Sequence, residues 1–276
     1  MKKLIALLMT LVLIVACFAG CGSKKTQDTQ NNDDNQAQET VVVGYTIYKP
    51  MNYEENGKLV GFDTELAEAV FAKLNYKVVF KLIDWDQKYT EVNAGTINCI
   101  WNGFTANPAD ADGVARAEKV DFSYNYMGNK QVIVAKAELI NALTDTNGLK
   151  GKVGAVENKS AGDTYLSEKL TGAIKKGVTS QLDAMKELSM GAVDFVVVDE
   201  QLAKAYVGKG DYAAFAISDK VYSDAEYYAI GFKKGSDLTA KVNGALEELA
   251  ADGTIKALAE KYGVVNTTIT DFSDQK

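Results

Sequence analysis

Histidine is missing altogether from these 276 residues. The commonest metal ligand and the commonest general base at neutral pH go with it, and so does any Ser/His/Asp triad. Arginine occurs once, at Arg116, in a chain whose other cations are all lysines. Cysteine occurs at Cys17, Cys21 and Cys99, with no CxxC and no pair spaced like a zinc site. Neither a disulfide framework nor a zinc centre is expected. No G-x-G-x-x-G follows a strand and no G-x-x-x-x-G-K-[ST] occurs, so nucleotide binding lacks both of its usual devices. G-x-S-x-G is absent as well. Positive charge is in deficit, and a net charge of −7 argues against a nucleic-acid partner. No cofactor or metal is implied.

What is present is 47% hydrophobic, enough for one large core or two modest ones. The N-terminus reads as a targeting segment. Lys2 and Lys3 precede the apolar run Leu4 to Ala16, which is too short for a comfortable membrane span. Phe18-Ala19-Gly20-Cys21 resembles a bacterial lipobox, in which the cysteine is lipidated after cleavage. Residues 1–20 are then a lipoprotein signal peptide and Cys21 the anchor. Gly22 to Thr40 carries no large apolar residue, so residues 21–40 read as a solvated tether. Cys99 lies in an apolar strand and is expected to be buried and inert.

From Val41 the chain alternates between strand and helix. Val41 to Tyr45 is a continuous apolar run, as in a buried strand. Asp63 is expected to cap a helix reaching Leu74, Val78 to Ile83 to be a strand, and Asp84-Trp85-Asp86 to be a loop or cap that opens a helix to about Asn93, ended by Ala94-Gly95. Ile97 to Ser123 then holds a short strand, the turn Asn102-Gly103-Phe104-Thr105, a polar segment containing Arg116, and a second strand start at Val120. With Gln131 to Ala135 this predicts a parallel sheet wrapped by helices. The pattern restarts after Lys136. Strands are expected at Val153 to Val156, Lys176 to Val178, Phe195 to Val198 and Tyr212 to Ile217, with helices at Ala161 to Leu170, Gln181 to Met190 and Gln201 to Tyr206. A last strand, Tyr227 to Phe232, and the helices Leu238 to Leu249 and Thr254 to Tyr262 follow. Each half is short for a large α/β domain, and two lobes with a cleft fit the length better.

Several runs resemble one family. They are Leu59-Val60-Gly61-Phe62-Asp63-Thr64-Glu65-Leu66-Ala67, Asn102-Gly103-Phe104-Thr105, Val120-Asp121-Phe122-Ser123-Tyr124-Asn125-Tyr126, Leu149-Lys150-Gly151-Lys152-Val153-Gly154, Gly191-Ala192-Val193-Asp194 with Asp199, and Asp252-Gly253-Thr254 with Lys261-Tyr262-Gly263. In this order they resemble the solute-binding proteins of family 3, the amino-acid-binding lipoproteins and periplasmic proteins that feed ABC importers. The resemblance implies a type II periplasmic-binding-protein-like α/β fold, with two lobes joined by two hinge strands and the ligand cleft between them. Lobe one would be residues 41–133 plus 225–276, and lobe two residues 134–224. Such proteins close about their hinge on the ligand.

The resemblance also implies a site. Arg116 would clamp the ligand carboxylate in two-point contact, with Ser160 at a helix N-terminus beside it. Asp199, at the C-terminal end of an apolar strand, would hold the ammonium. Tyr48 and Trp85 would wall the ligand side chain, with Asn102, Thr105 and the Gly103 backbone hydrogen-bonding to it. Trp101 reads equally as pocket wall or core, and Asp194 as structural. Two departures from the family pattern stand out: Lys159 replaces a glycine, and Ala109 to Ala115 lengthens the path from Thr105 to Arg116. The implied function is a membrane-anchored monomer on the extracytoplasmic face. It takes a free amino acid, more readily a polar one, to an ABC permease and does no chemistry. The rival readings are a dehydratase of the same fold, of cyclohexadienyl type, and a surface sensor or adhesin lipoprotein.

Overall fold

The computed structural model describes residues 38–275. The signal segment, Cys21 and most of the tether lie outside the described residues. Val41 to Tyr45 belongs to the strand Glu39–Tyr45, which pairs in parallel with Tyr76–Leu82 on one side and Cys99–Ile100 on the other. Next to Cys99–Ile100 the strand Gly231–Phe232 runs antiparallel, and it pairs in turn with Asp121–Phe122. The second five-stranded sheet places Ile174–Val178, Val153–Glu157 and Phe195–Asp199 side by side in parallel, then Gln131–Lys136 antiparallel to Phe195–Asp199, and Phe215–Tyr222 antiparallel to Gln131–Lys136 at the edge. Both sheets are therefore mixed, not the parallel sheet that the strand–helix alternation predicts. The reason is topological. The chain crosses from the first sheet to the second and later returns, and each crossing delivers a strand against the local direction.

The two crossings lie side by side. Met127–Asn129 goes out, Glu226–Tyr228 comes back, and they pair antiparallel. The predicted strand Tyr227 to Phe232 is in fact two, since Ala229 and Ile230 separate the crossing pair from Gly231–Phe232. The polar end of the chain closes over this region. Ile269 N–H donates to the Tyr126 carbonyl at 2.8 Å, and Phe272 stacks on Tyr124 with centroids 5.5 Å apart.

Helix Phe62–Lys73 covers the first sheet with Phe62, Leu66, Val70 and Phe71 fully buried, against Leu246 and Ile255 of the helices Leu238–Ala251 and Thr254–Tyr262. Burying each such side chain contributes about 1.5–3 kcal/mol. Asp63 is not its cap. Gly61 occupies that position at φ 135, where a Cβ would collide with the Met51 carbonyl. The first helical N–H groups donate instead to loop carbonyls, Phe62 to Pro50 at 2.9 Å and Asp63 to Met51 at 3.0 Å. This leaves the Asp63 carboxylate for another task. Cys99 is buried, and burial pushes its thiol pKa well up, as its apolar strand implied. Asp194 accepts the Val153 N–H at 2.7 Å, a structural bond.

Candidate functional site

The turn after Cys99–Ile100 is pinned from beneath. Gly103 has φ 58, and a Cβ there would lie 2.6 Å from the Tyr48 ring. Its N–H donates to Asp63 at 2.7 Å, and the Tyr126 hydroxyl donates to the same carboxylate oxygen at 3.0 Å. Burial pushes the Asp63 carboxyl up to about 7 despite these two donors. Asn102 donates to the Thr46 carbonyl at 2.9 Å and to Asn52 at 2.7 Å. A turn held this way presents its upper face in one geometry.

Arg116 begins the short helix Arg116–Lys119 and is 1% exposed. The additional segment before it does not carry it away. Ala109 bridges to Ala115, and Asp110 N–H donates to the Val114 carbonyl at 3.0 Å, so the extra residues loop back on themselves. Arg116 Nη1 thereby donates to the Thr105 carbonyl at 2.8 Å. Asp110, inside that loop, accepts from Arg116 Nε and from Lys119 at 2.8 Å each, and from the Tyr89 hydroxyl at 2.7 Å. Arg116 Nη2 is buried with no hydrogen-bond partner among the described residues. An unpaired buried guanidinium N–H is costly unless an acceptor comes to it.

Carboxylates from the second sheet line the same cavity. Glu157 and Asp199 end two adjacent parallel strands, Val153–Glu157 and Phe195–Asp199. Asp199 Oδ1 accepts from Asn129 Nδ2 and Gln131 Nε2 at 2.6 Å each, and Oδ2 from Gln181 Nε2. It starts the helix Glu200–Tyr206 but makes no side-chain cap bond, and it lines the cavity. Burial raises its pKa. Burial and the Asp199 charge push Glu157 up to about 8, and burial and Asp199 push Glu226 to about 7. Ser160 caps the helix Ala161–Lys169, accepting the Asp163 N–H at 3.1 Å. Lys159 holds φ 54, the left-handed conformation that a glycine would take there.

These residues close around a cavity of about 10 Å³, room for about one water. Trp85, Asn102, Gly103, Thr105, Arg116, Ser160 and Asp199, all expected from the sequence, line it together. Tyr48 does not. Its hydroxyl is bonded to that of Tyr228 at 2.6 Å, and its ring backs the Gly103 turn. Tyr48 thus supports the turn instead of walling the pocket, because the close approach at Gly103 draws it behind. Trp101 packs in the core against Phe71 and Tyr126. A more open hollow of about 410 Å³, lined in part by Asn107, Tyr165 and Tyr222, adjoins the cavity through Ala161. Its volume is larger, but it gathers no comparable set of buried charges.

Sequence reasoning missed Gln131, Glu157 and Gln181, which also line the cavity, and Glu226 and Asn129 behind them. Glu157 ends an apolar strand as Asp199 does, and the argument that selected Asp199 applies to it equally. Lys88 gave no signal. It is fully buried, with its ammonium 4.9 Å from the Trp85 ring and donating to the Lys159 carbonyl at 3.0 Å. Burial, with the Arg116 charge, lowers its pKa to about 7.

Known proteins share this architecture. Arginine-binding extracellular protein ArtP of Bacillus subtilis (strain 168) is 29% identical over 267 residues, covering 95% of this chain and 98% of its own. The structure of an ancestral arginine-binding protein bound to arginine superposes with a TM-score of 0.73 at 34% identity, covering 81% of this chain and 97% of that one. An ABC uptake transporter substrate-binding protein from Streptococcus pneumoniae with bound histidine gives a TM-score of 0.72 at 29% identity, covering 81% and 92%. Residues 41–265 match a single family along their whole length. The chain belongs to the bacterial extracellular solute-binding proteins, family 3.

Proposed function

We propose that this chain is an extracytoplasmic receptor that captures one free amino acid with a polar side chain and delivers it to an ABC permease. The observation that carries the reading is Arg116 Nη2. It is a buried, unpartnered donor on a cavity whose lining also includes Asp199. A zwitterion spans such a site, with its carboxylate on Arg116 and Ser160, its ammonium on Asp199, and Trp85, Asn102, Gly103 and Thr105 around the rest. Arginine and histidine are what the relatives described above are named for binding, which supports an amino-acid ligand.

The lobes divide at the two crossings, Met127–Asn129 and Glu226–Tyr228, within a few residues of 133/134 and 224/225. Ligand contact with both walls biases the hinge toward closure, and the energy for transport comes from the ATPase partner. The chain acts as a monomer and catalyses nothing. Cys21 carries the lipid that holds it to the membrane through the tether of residues 21–40.

The test is a tryptophan-fluorescence titration of the purified full chain against a panel of L-amino acids, with thermal unfolding in parallel. Trp85 lies on the cavity and Trp101 in the core below it. A saturable change with one or a few amino acids is expected. Truncating one partner of a buried charge pair costs about 2–5 kcal/mol, so Arg116→Ala and Asp199→Ala should each weaken binding by roughly thirtyfold or more. Silence toward every amino acid, in fluorescence and in melting temperature, would remove the assignment.

A further inference from the structure

We infer that the captured amino acid has a cationic side chain and that the Glu157 carboxylate receives it; this rests on the receptor reading above.

An α-amino acid brings one carboxylate and one ammonium. Arg116 serves the first. For the second the site holds more negative charge than one ammonium can use. Glu157 and Asp199 line the cavity at 5% and 4% exposure, and Glu226, also 5% exposed, is tied to them through Gln131, which donates to Asp199 at 2.6 Å and to Glu226 at 2.8 Å. Among the described residues none of the three forms an ion pair. Arg116 and Lys119 pair with Asp110 instead. The groups around Asp199 are neutral amides, which orient a carboxylate without cancelling its charge. Several buried carboxyls with no bonded counter-cation are expensive to ionise, and Glu157 and Glu226 hold their protons up to about 8 and about 7 until a cation reaches them. A ligand with a neutral side chain offsets one of them, whereas a ligand with a second cationic group offsets two.

Glu157 is the carboxylate with capacity to spare. Asp199 already accepts from Asn129, Gln131 and Gln181. Glu157 is held by the Gln181 backbone N–H, which leaves most of its lone pairs for the ligand. The neighbouring cation eases the Glu157 charge from a distance but leaves its oxygens free. Lys88 ammonium donates to the carbonyls of Trp85 and Lys159 at 3.4 and 3.0 Å and is not bonded to Glu157. The cavity independently announces a ligand through two unpartnered buried donors among its lining residues, Arg116 Nη2 and Trp85 Nε1. Trp85 also offers an aromatic surface to a cationic or planar head group.

The experiment compares charged amino acids with neutral isosteres by calorimetry on the full chain at pH 7.5. The pairs are L-arginine against L-citrulline and L-lysine against L-norleucine. In at least one pair the cationic member should bind tenfold or more tighter, and Glu157→Gln should bring that pair within about threefold. Equal or reversed affinities in both pairs, or a preference untouched by Glu157→Gln, overturn the inference. Where the variant gives no folded protein, the isostere comparison on the unaltered chain decides alone. Tight binding of L-glutamine or L-cystine with both cationic ligands failing removes the side-chain assignment and leaves the receptor reading standing. Failure of every amino acid removes both.

Discussion

Asp63 reads in sequence as an acid at the start of a helix, and in the structure it holds the turn of residues 102–105 through the Gly103 N–H. The cost of that position is a carboxylate without a counter-cation. Its pKa rises to about 7, as Glu157 rises to about 8 and Glu226 to about 7. An unfolded carboxylate titrates near about 4. Between roughly pH 4 and 8 the folded chain therefore retains protons that the unfolded chain has released, and stability falls as pH rises through that window. Lys88 works in the opposite direction. Its value is depressed to about 7, so above neutrality the unfolded chain binds a proton that the folded one lacks, and stability recovers toward pH 10. Thermal unfolding of ligand-free protein should give a melting temperature at pH 5 higher than at pH 7.5 by roughly 3 °C or more. Asp63→Asn should reduce that difference. A melting temperature that climbs across the window contradicts this account.

Among the elements, most strands and helices follow from apolar runs and caps. Thr254–Tyr262 begins and ends where its periodicity places it, and Gly95 closes Lys88–Ala94 in the left-handed conformation. Direction of pairing was not legible. Tyr227 to Phe232 looks like one strand because its residues are uniformly apolar, but Glu226–Tyr228 answers Met127–Asn129 while Gly231–Phe232 answers Cys99–Ile100. Those partners lie far away in sequence, and local propensity carries no record of them. The helix Ala161–Lys169 shows an element serving fold and site together. Ser160 caps it and also lines the cavity. Ser160→Ala should cost about 1 kcal/mol and lower the melting temperature by about 2–4 °C. If the hydroxyl also contributes to the ligand site, affinity in the same titration falls severalfold. An unchanged affinity with a lowered melting temperature would leave Ser160 a cap alone.

At the scale of the whole described molecule, a few bonds join the two walls of the cleft. Lys88 Nζ donates to the Lys159 carbonyl at 3.0 Å, and Lys159 Nζ lies 4.0 Å from Asp86 Oδ1. The turn carrying Ser160 is thus fastened to the helix start beneath Trp85. A charged donor on a carbonyl is worth about 1.5–3 kcal/mol, enough to weigh on a hinge equilibrium. Lys88→Met keeps the apolar stem and removes the bond. Ligand affinity should fall about tenfold, and the radius of gyration of the ligand-free chain in solution should rise, while the melting temperature holds or increases because a buried charge has gone. Unaltered affinity and radius would deny these contacts a part in closure.

The sequence by itself determined the family, most of the elements and seven of the residues that line the cavity, because apolar runs, caps and short motifs are local signals. It also isolated Arg116 by composition, as the sole arginine among lysines. Only the tertiary structure decided that the segment Ala109 to Ala115 folds back and returns Arg116 to Thr105, that Tyr48 supports the Gly103 turn from behind, and that Glu157 and Glu226 stand with Asp199. These are facts about residues distant in the chain sharing one low-dielectric space. Their energies depend on which charges meet there and which do not, and no stretch of sequence taken alone contains that pairing.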